Sequence, residues 1–231
     1  MKLKLSYILL LILLISTILC QYDLLKKRFV LTYTNPYCSW CNDNQVDEIQ
    51  FIPSKTIFIR MFSPADPDFL ADLLWMRTSY YFGSHTVTDQ DYFYLYYLLS
   101  RITDLSPKWE FPYVMGGIIL FLEAQAPKQA LAIIDKGILQ IKNSWELFFL
   151  KGYILWKAYN NYEEASKQIL SSSLKKGAPS YLPLLAASFS LKTSNKMFIE
   201  GFYKIILNTV KDPAQKQLIL KKMERLKERD G

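Results

Sequence analysis

The chain has 231 residues, of which 51% are hydrophobic and 15% aromatic, and it carries a formal net charge of +7. That much apolar surface excludes disorder over most of the length, and a single histidine, His85, excludes metal centres and acid–base mechanisms that need several. The positive charge suits a surface near anionic lipid, or simple solubility, but no stripe of Lys and Arg joins a nucleic-acid motif, so no nucleic-acid partner is expected.

The N-terminus reads MKLKLSYILLLILLISTILCQYDLLKKR, with Lys2 and Lys4 ahead of an apolar run from Leu5 to Leu19. This is the pattern of an export signal, and three outcomes are open. A cleaved signal peptide needs small residues before the cut, which Thr17 and Leu19 do not supply. A lipoprotein would carry its lipid on Cys20, although Leu19 stands where a small residue is usual. The reading adopted is an uncleaved anchor over residues 1–25, with Asp23 at the interface and Lys26, Lys27 and Arg28 at the headgroups. The bulk of the chain is then expected on the extracytoplasmic, periplasmic side of the membrane.

Residues 26–65 show little periodicity and are expected to form an irregular linker. They contain NPYCSWCND, with Cys38 and Cys41 two residues apart. A thioredoxin-like centre places such a pair on a helix N-terminus after a strand, and no βαβ pattern is present. A haem anchor needs His directly after the second Cys, where Asn42 stands. A zinc site needs two further ligands, and only Cys20 and His85 remain. In an oxidising compartment a local Cys38–Cys41 disulfide is expected, with a thiol pair that acts on a partner as the alternative. No cofactor and no small-molecule substrate are expected.

From Asp66 onward apolar residues recur at helical spacing. Asp66 is read as an N-cap with Pro67 at the first helical position, and Asp212 with Pro213 repeats the device. Between them lies an internal repeat. Aligning FPYVMGGIILFLEAQAPKQALAIIDKG with ELFFLKGYILWKAYNNYEEASKQILSS puts Gly117 on Gly152, Phe121 on Trp156, Ala130 on Ala165 and Ile134 on Ile169, an offset of 35 residues throughout. The small residues are expected where helices approach closely, with the large ones filling the gaps around them. Such helix pairs cannot hide their apolar faces alone and must stack.

These units resemble the tetratricopeptide repeat family. YNNYEEAS, residues 159–166, is similar to the family's turn and second-helix start, and Gln90 to Trp109 matches again with Pro107 at the closing proline. A further match runs from Asn195 to Pro213, with Gly201 in place of the Ala. There are departures: Pro127 occupies the place of the turn tyrosine, and the first unit carries a polar insertion, GSHTVTDQD. ADLLWMRTSYYFG, residues 71–83, is similar to a stretch of exported, N-terminally anchored bacterial repeat proteins. The resemblance implies an all-α solenoid of about four helix pairs over residues 66–213, closed by a polar capping helix over 214–231. It implies nothing about a reaction.

In the capping helix Leu218, Ile219, Met223 and Leu226 are expected to form the one apolar side. In DYFYLYYLL the spacing turns Tyr92, Leu95 and Leu99 inward and leaves Tyr94 and Tyr97 facing elsewhere. With Tyr80, Trp109, Tyr113 and Tyr153 they are the candidate partner-binding residues, because exposed Tyr and Trp favour interfaces. The function expected is a non-catalytic, membrane-tethered scaffold or assembly factor that holds a protein or peptide partner in the cell envelope. Its rivals are a thiol–disulfide-handling factor using Cys38 and Cys41 and a chaperone lipidated on Cys20.

Overall fold

The computed structural model describes residues 12–19, 56–62, 66–87 and 89–230. Among them every regular element is helical. Residues 12–19 are helical (α1) and belong to one unit; all the other helices belong to a second. In order these are α2 (Thr56–Phe62), α3 (Pro67–Thr86), α4 (Leu95–Leu105), α5 (Glu110–Leu122), α6 (Pro127–Gln140), α7 (Trp145–Tyr159), α8 (Tyr162–Ser173), α9 (Leu182–Ser190), α10 (Lys196–Thr209) and α11 (Pro213–Asp230).

No helix among the described residues is long and apolar enough to cross a membrane. Most of the expected 1–25 anchor, together with Cys20, Cys38 and Cys41, lies outside the described residues.

The boundaries follow from short polar side chains that satisfy the free N–H groups of a first turn. The Asp66 carboxylate accepts from the Phe69 amide at 3.0 Å and that of Asp212 from the Ala214 amide at 2.9 Å. Ser144, Asn161 and Asn195 cap α7, α8 and α10 in the same way. Two asparagines make the whole α7–α8 turn. Asn160 closes α7 in the left-handed region at φ 50°, which Asn tolerates better than most residues, and Asn161 caps α8. At the α5–α6 turn Gln125 takes the left-handed conformation and Pro127 opens α6, so the residue that departed from the family's pattern serves as a helix start.

All substantial contacts between helices join elements one or two apart in chain order. One apolar core runs from Tyr81 and Leu95 through Tyr113, Leu120 and Ile134 to Leu147 and Ile154. A second joins Ala165 and Ile169 to Ala186, Phe202, Tyr203 and Ile219. The aligned glycines are where the helices of a pair touch. A Cβ on Gly117 would lie 2.8 Å from the Ile134 side chain, and one on Gly152 would lie 2.8 Å from that of Ile169. The two contacts carry the same 35-residue offset as the sequence repeat.

Three expectations are corrected, and the polar insertion finds its place. The end of the expected linker is helical over Thr56–Phe62, because Ile59 packs with Ala71, Ile102 and Leu105. The polar insertion begins within α3, which continues through Gly83, Ser84 and His85 to Thr86. Ser84 and Thr86 donate back to the carbonyls of Tyr81 and Phe82, so their hydroxyls engage the helix they sit in. Gly201 is no close-contact position: nothing stands within 4 Å of its Cβ direction, and Phe202 and Tyr203 are the buried residues there. In α11 Ile219 is buried and Met223 packs on the second core, but Leu218 is exposed and the side chain of Leu226 lies outside the described residues.

Candidate aromatic binding face

α7 carries Trp145, Phe149, Tyr153 and Trp156, steps of four, four and three that align side chains along one strip of a helix. All four are half-buried. Tyr153 is the centre of an array that reaches the first helices of the neighbouring pairs. Its ring lies 5.9 Å from Phe121 of α5 in an edge-on arrangement, 6.4 Å from Phe149 and 5.8 Å from Trp156. Trp156 continues the array to Phe189 of α9 at 4.7 Å. Edge-on and tilted pairs at these separations place ring edges against ring faces, the arrangement aromatic quadrupoles prefer.

Ammonium groups border the array. The Lys157 Nζ stands 4.3 Å from the centre of the Trp156 ring, and the Lys192 Nζ stands 5.7 Å from both Trp156 and Tyr162. Such contacts hold cations at the face of a ring without neutralising them. The strip is therefore aromatic along its length and positive at the Trp156 end. A neighbouring acid, Glu164 of α8, is held below the usual carboxylate range by a hydrogen bond from Gln168, supported by Lys167.

The six sequence candidates have different surroundings. Tyr153 lies at the centre of the array. Trp109 is half-buried, 5.9 Å from Trp75, and packs against the Ile59 cluster. Tyr94 is half-buried, with its ring 6.3 Å from Tyr81 and 5.0 Å from Phe93. Tyr97 is exposed beside Tyr96. Tyr80 is exposed on α3. Tyr113 is corrected outright: it is fully buried, donates its hydroxyl proton to the carbonyls of Thr103 and Pro107, and packs its ring over Gly137, so it serves the core and offers no surface. Burial and the Asp104 carboxylate nearby push the Tyr113 hydroxyl up to about 12.

The sequence reading missed Trp145, Phe149, Phe189 and Lys192. The signal for Trp145 and Phe149 was present in the regular spacing along α7, but Trp156 and Phe121 were read only as gap fillers; Phe189 and Lys192 lie on or after α9 and had no such signal.

A charged cluster centred on Asp104 had no sequence signal. Asp104 of α4 meets Lys136 of α6, which also donates to the Thr103 hydroxyl at 2.7 Å and the Ser100 carbonyl at 3.0 Å. Arg101 meets the second Asp104 oxygen at 2.9 Å, and Arg60 of α2 donates to the Asp104 carbonyl at 2.8 Å. The cluster ties three helices together through groups 32 and 44 residues apart. Among the described residues no group of three or more His, Cys, Asp or Glu side chains could hold a metal ion.

No family model, no curated protein and no solved structure matches the chain.

Proposed function

We propose that the chain is a non-catalytic, membrane-tethered scaffold whose helix pairs stack as a tetratricopeptide-like solenoid and whose aromatic array holds an extended segment of a partner protein in the cell envelope. The observation that carries this reading is the ring array of α5 and α7, half-buried there and continued to the buried Phe189 of α9, with Lys157 and Lys192 at one end. Stacking as a solenoid is supported by two observations: the Gly117–Ile134 contact recurs at Gly152–Ile169, and all substantial contacts between the described helices join near neighbours in the chain. The tether and the periplasmic location are supported by the apolar run after Lys2 and Lys4. The partner segment suited to this face carries apolar or aromatic side chains to lie on the rings and an acidic residue to meet the lysines. Rigid aromatics with one exposed edge give contact area at little cost in side-chain order.

The test is site-specific photocrosslinking of the full chain in the cells that make it, with the probe amino acid in place of Tyr153. A discrete adduct is expected, lost when Lys157 and Lys192 are both changed to Glu. Crosslinking at Tyr153 that is indifferent to these charges, or no adduct at all while a probe at an exposed distant site such as Tyr181 captures the partner, would refute the assignment of this face.

A further inference from the structure

Helices of the second unit alternate in direction. Gly117 of α5 meets Ile134 of α6 while Tyr113 meets Gly137, and the Ser172 hydroxyl near the end of α8 donates to the carbonyl of Trp145 at the start of α7 at 2.8 Å. The turns that follow α4, α6, α8 and α10 therefore share one edge. Three observations set them side by side. The Lys108 Nζ donates to the Gln140 carbonyl at 3.0 Å, a Cβ on Gly177 would lie 4.0 Å from the Trp145 indole, and a cleft of about 370 Å³ is bounded by residues of both the α8–α9 and the α10–α11 turns.

Each of these turns carries a lysine. Lys108, Lys142, Lys176 and Lys211 recur at steps of 34, 34 and 35 residues, and all four are exposed. Lys175 adds a fifth, its Nζ 4.4 Å from the centre of the Phe148 ring. Among the described residues none of the five forms an ion pair with a carboxylate, and a carbonyl or a ring leaves the charge intact. Asp212 is the only acid in the four turns and caps α11, while Glu110 and Glu146, in the first turns of α5 and α7, are half-buried. The turns at the other end, residues 90–94, 123–126, 160–161 and 191–195, hold Asp91, Glu123 and one lysine, Lys192. Beside the lysines the edge exposes two leucines 35 residues apart, Leu139 at 72% and Leu174 at 65%.

This pattern chooses the occupant. Helices pack at roughly 8–10 Å, so successive lysines, two helices apart, stand on the order of 15–20 Å from one another. A small anion or a single acidic side chain can meet only one of them. A nucleic acid would leave both leucines in water. A layer of anionic headgroups meets every lysine at once and takes the leucines at the boundary between headgroups and acyl chains. We propose that this edge rests on a bilayer containing anionic lipid and so fixes how the second unit stands at the membrane. The proposal is independent of the aromatic array and needs from the preceding reading only a membrane within reach.

The test puts a photocrosslinking amino acid at Leu174 of the full chain, and in a second chain at Leu122, which is 53% exposed at the far end of α5. Each is reconstituted with vesicles of phosphatidylcholine alone or mixed with phosphatidylglycerol, and lipid adducts are measured by mass spectrometry. The Leu174 probe is expected to label lipid at least about fivefold more in the mixed vesicles, and the Leu122 probe to label little in either. Lys142→Glu combined with Lys176→Glu should cut the Leu174 adduct by about tenfold or more with helical content unchanged, and the two Lys→Arg changes should preserve it. Equal labelling in the two kinds of vesicle, equal labelling at the two positions, or indifference to the charge reversal overturns the proposal. So does a Leu174 adduct with a protein in place of lipid in native membranes, which marks an acidic protein partner. Flotation with phosphatidylcholine vesicles reads the N-terminal tether by itself, so failure of the tether and failure of this edge are told apart.

Discussion

A Cβ on Gly152 would stand 2.8 Å from Cγ1 of Ile169 and 3.0 Å from the carbonyl oxygen of Ala165. α7 and α8 thus approach so closely that a backbone carbonyl forms part of the contact. Gly117 meets only the flexible end of Ile134, at 2.8 Å, and Gly201 meets nothing within 4 Å.

These three glycines predict a ranked series. Gly152→Ala should destabilise the fold by about 1–3 kcal/mol, because a carbonyl cannot rotate away. Gly117→Ala should cost less, since Ile134 can change rotamer. Gly201→Ala, in an exposed helix interior, should be neutral or stabilising by up to about 1 kcal/mol. Urea denaturation of the three variants checks the order, and a Gly152→Ala protein as stable as Gly201→Ala would remove the close approach.

The charged cluster predicts a second result. Asp104→Asn leaves Lys136 and Arg101 without their shared carboxylate and should cost about 1–3 kcal/mol. Lys151→Met removes the partner of the more exposed Asp135 and should change stability by less than about 1 kcal/mol. Equal losses in the two variants would show that the cluster does not tie α2, α4 and α6.

Alkaline unfolding is the third prediction. Tyr113 ionises near 10.0 when exposed and at about 12 in the fold, so the folded chain retains a proton that the unfolded chain releases. Stability from this group is fully present below pH 10, and it falls as the pH rises from about 10 to about 12, by on the order of 2–3 kcal/mol in all. Tyr203, raised by burial alone, adds a loss of the same sign. Tyr113→Phe should lower stability at pH 7 by about 1 kcal/mol through its lost hydrogen bonds. It should also flatten the decline above pH 10, which thermal melts across the range would reveal.

For the cysteine pair, a bridge between Cys38 and Cys41 closes a very short loop and lies at the low end of the roughly 0–5 kcal/mol range of disulfide stabilisation. The Cys38→Ser, Cys41→Ser double variant is expected to keep the helical content of α2–α11. Cys41→Ser alone should give no mixed disulfide with a second protein. A discrete, reductant-sensitive adduct on a non-reducing gel would instead favour thiol exchange.

The elements most legible in the sequence were those written in local chemistry. Asp66–Pro67 and Asp212–Pro213 announced α3 and α11, and the 35-residue offset marked Gly117 and Gly152 as places of close helix approach, though not Ile134 and Ile169 as the side chains they meet. What the sequence concealed depends on distant chain segments. Tyr113 reads as one more tyrosine until Thr103, Pro107 and Gly137 close around it. Asp104 is an ordinary helix acid until Arg60 and Lys136 arrive. Leu218 and Ile219 both suit a buried stripe, and only the direction of approach of α9 and α10 decides that Ile219 is covered. The aromatic face was half-legible: Tyr153 was named, but the array needs α5 and α9 beside α7.

Because the substantial contacts between the described helices join partners one or two places apart, little waits for a distant segment to be delivered. Local wiring of this kind folds fast and in small steps. A chain fed end-first through a narrow pore could build α3 on α4, then α5 and α6 on those, while the later helices were still in transit. The same wiring lets a pull on either end peel the helices off a few at a time, so the molecule should yield gradually under load where a globule with long-range contacts would snap open at once.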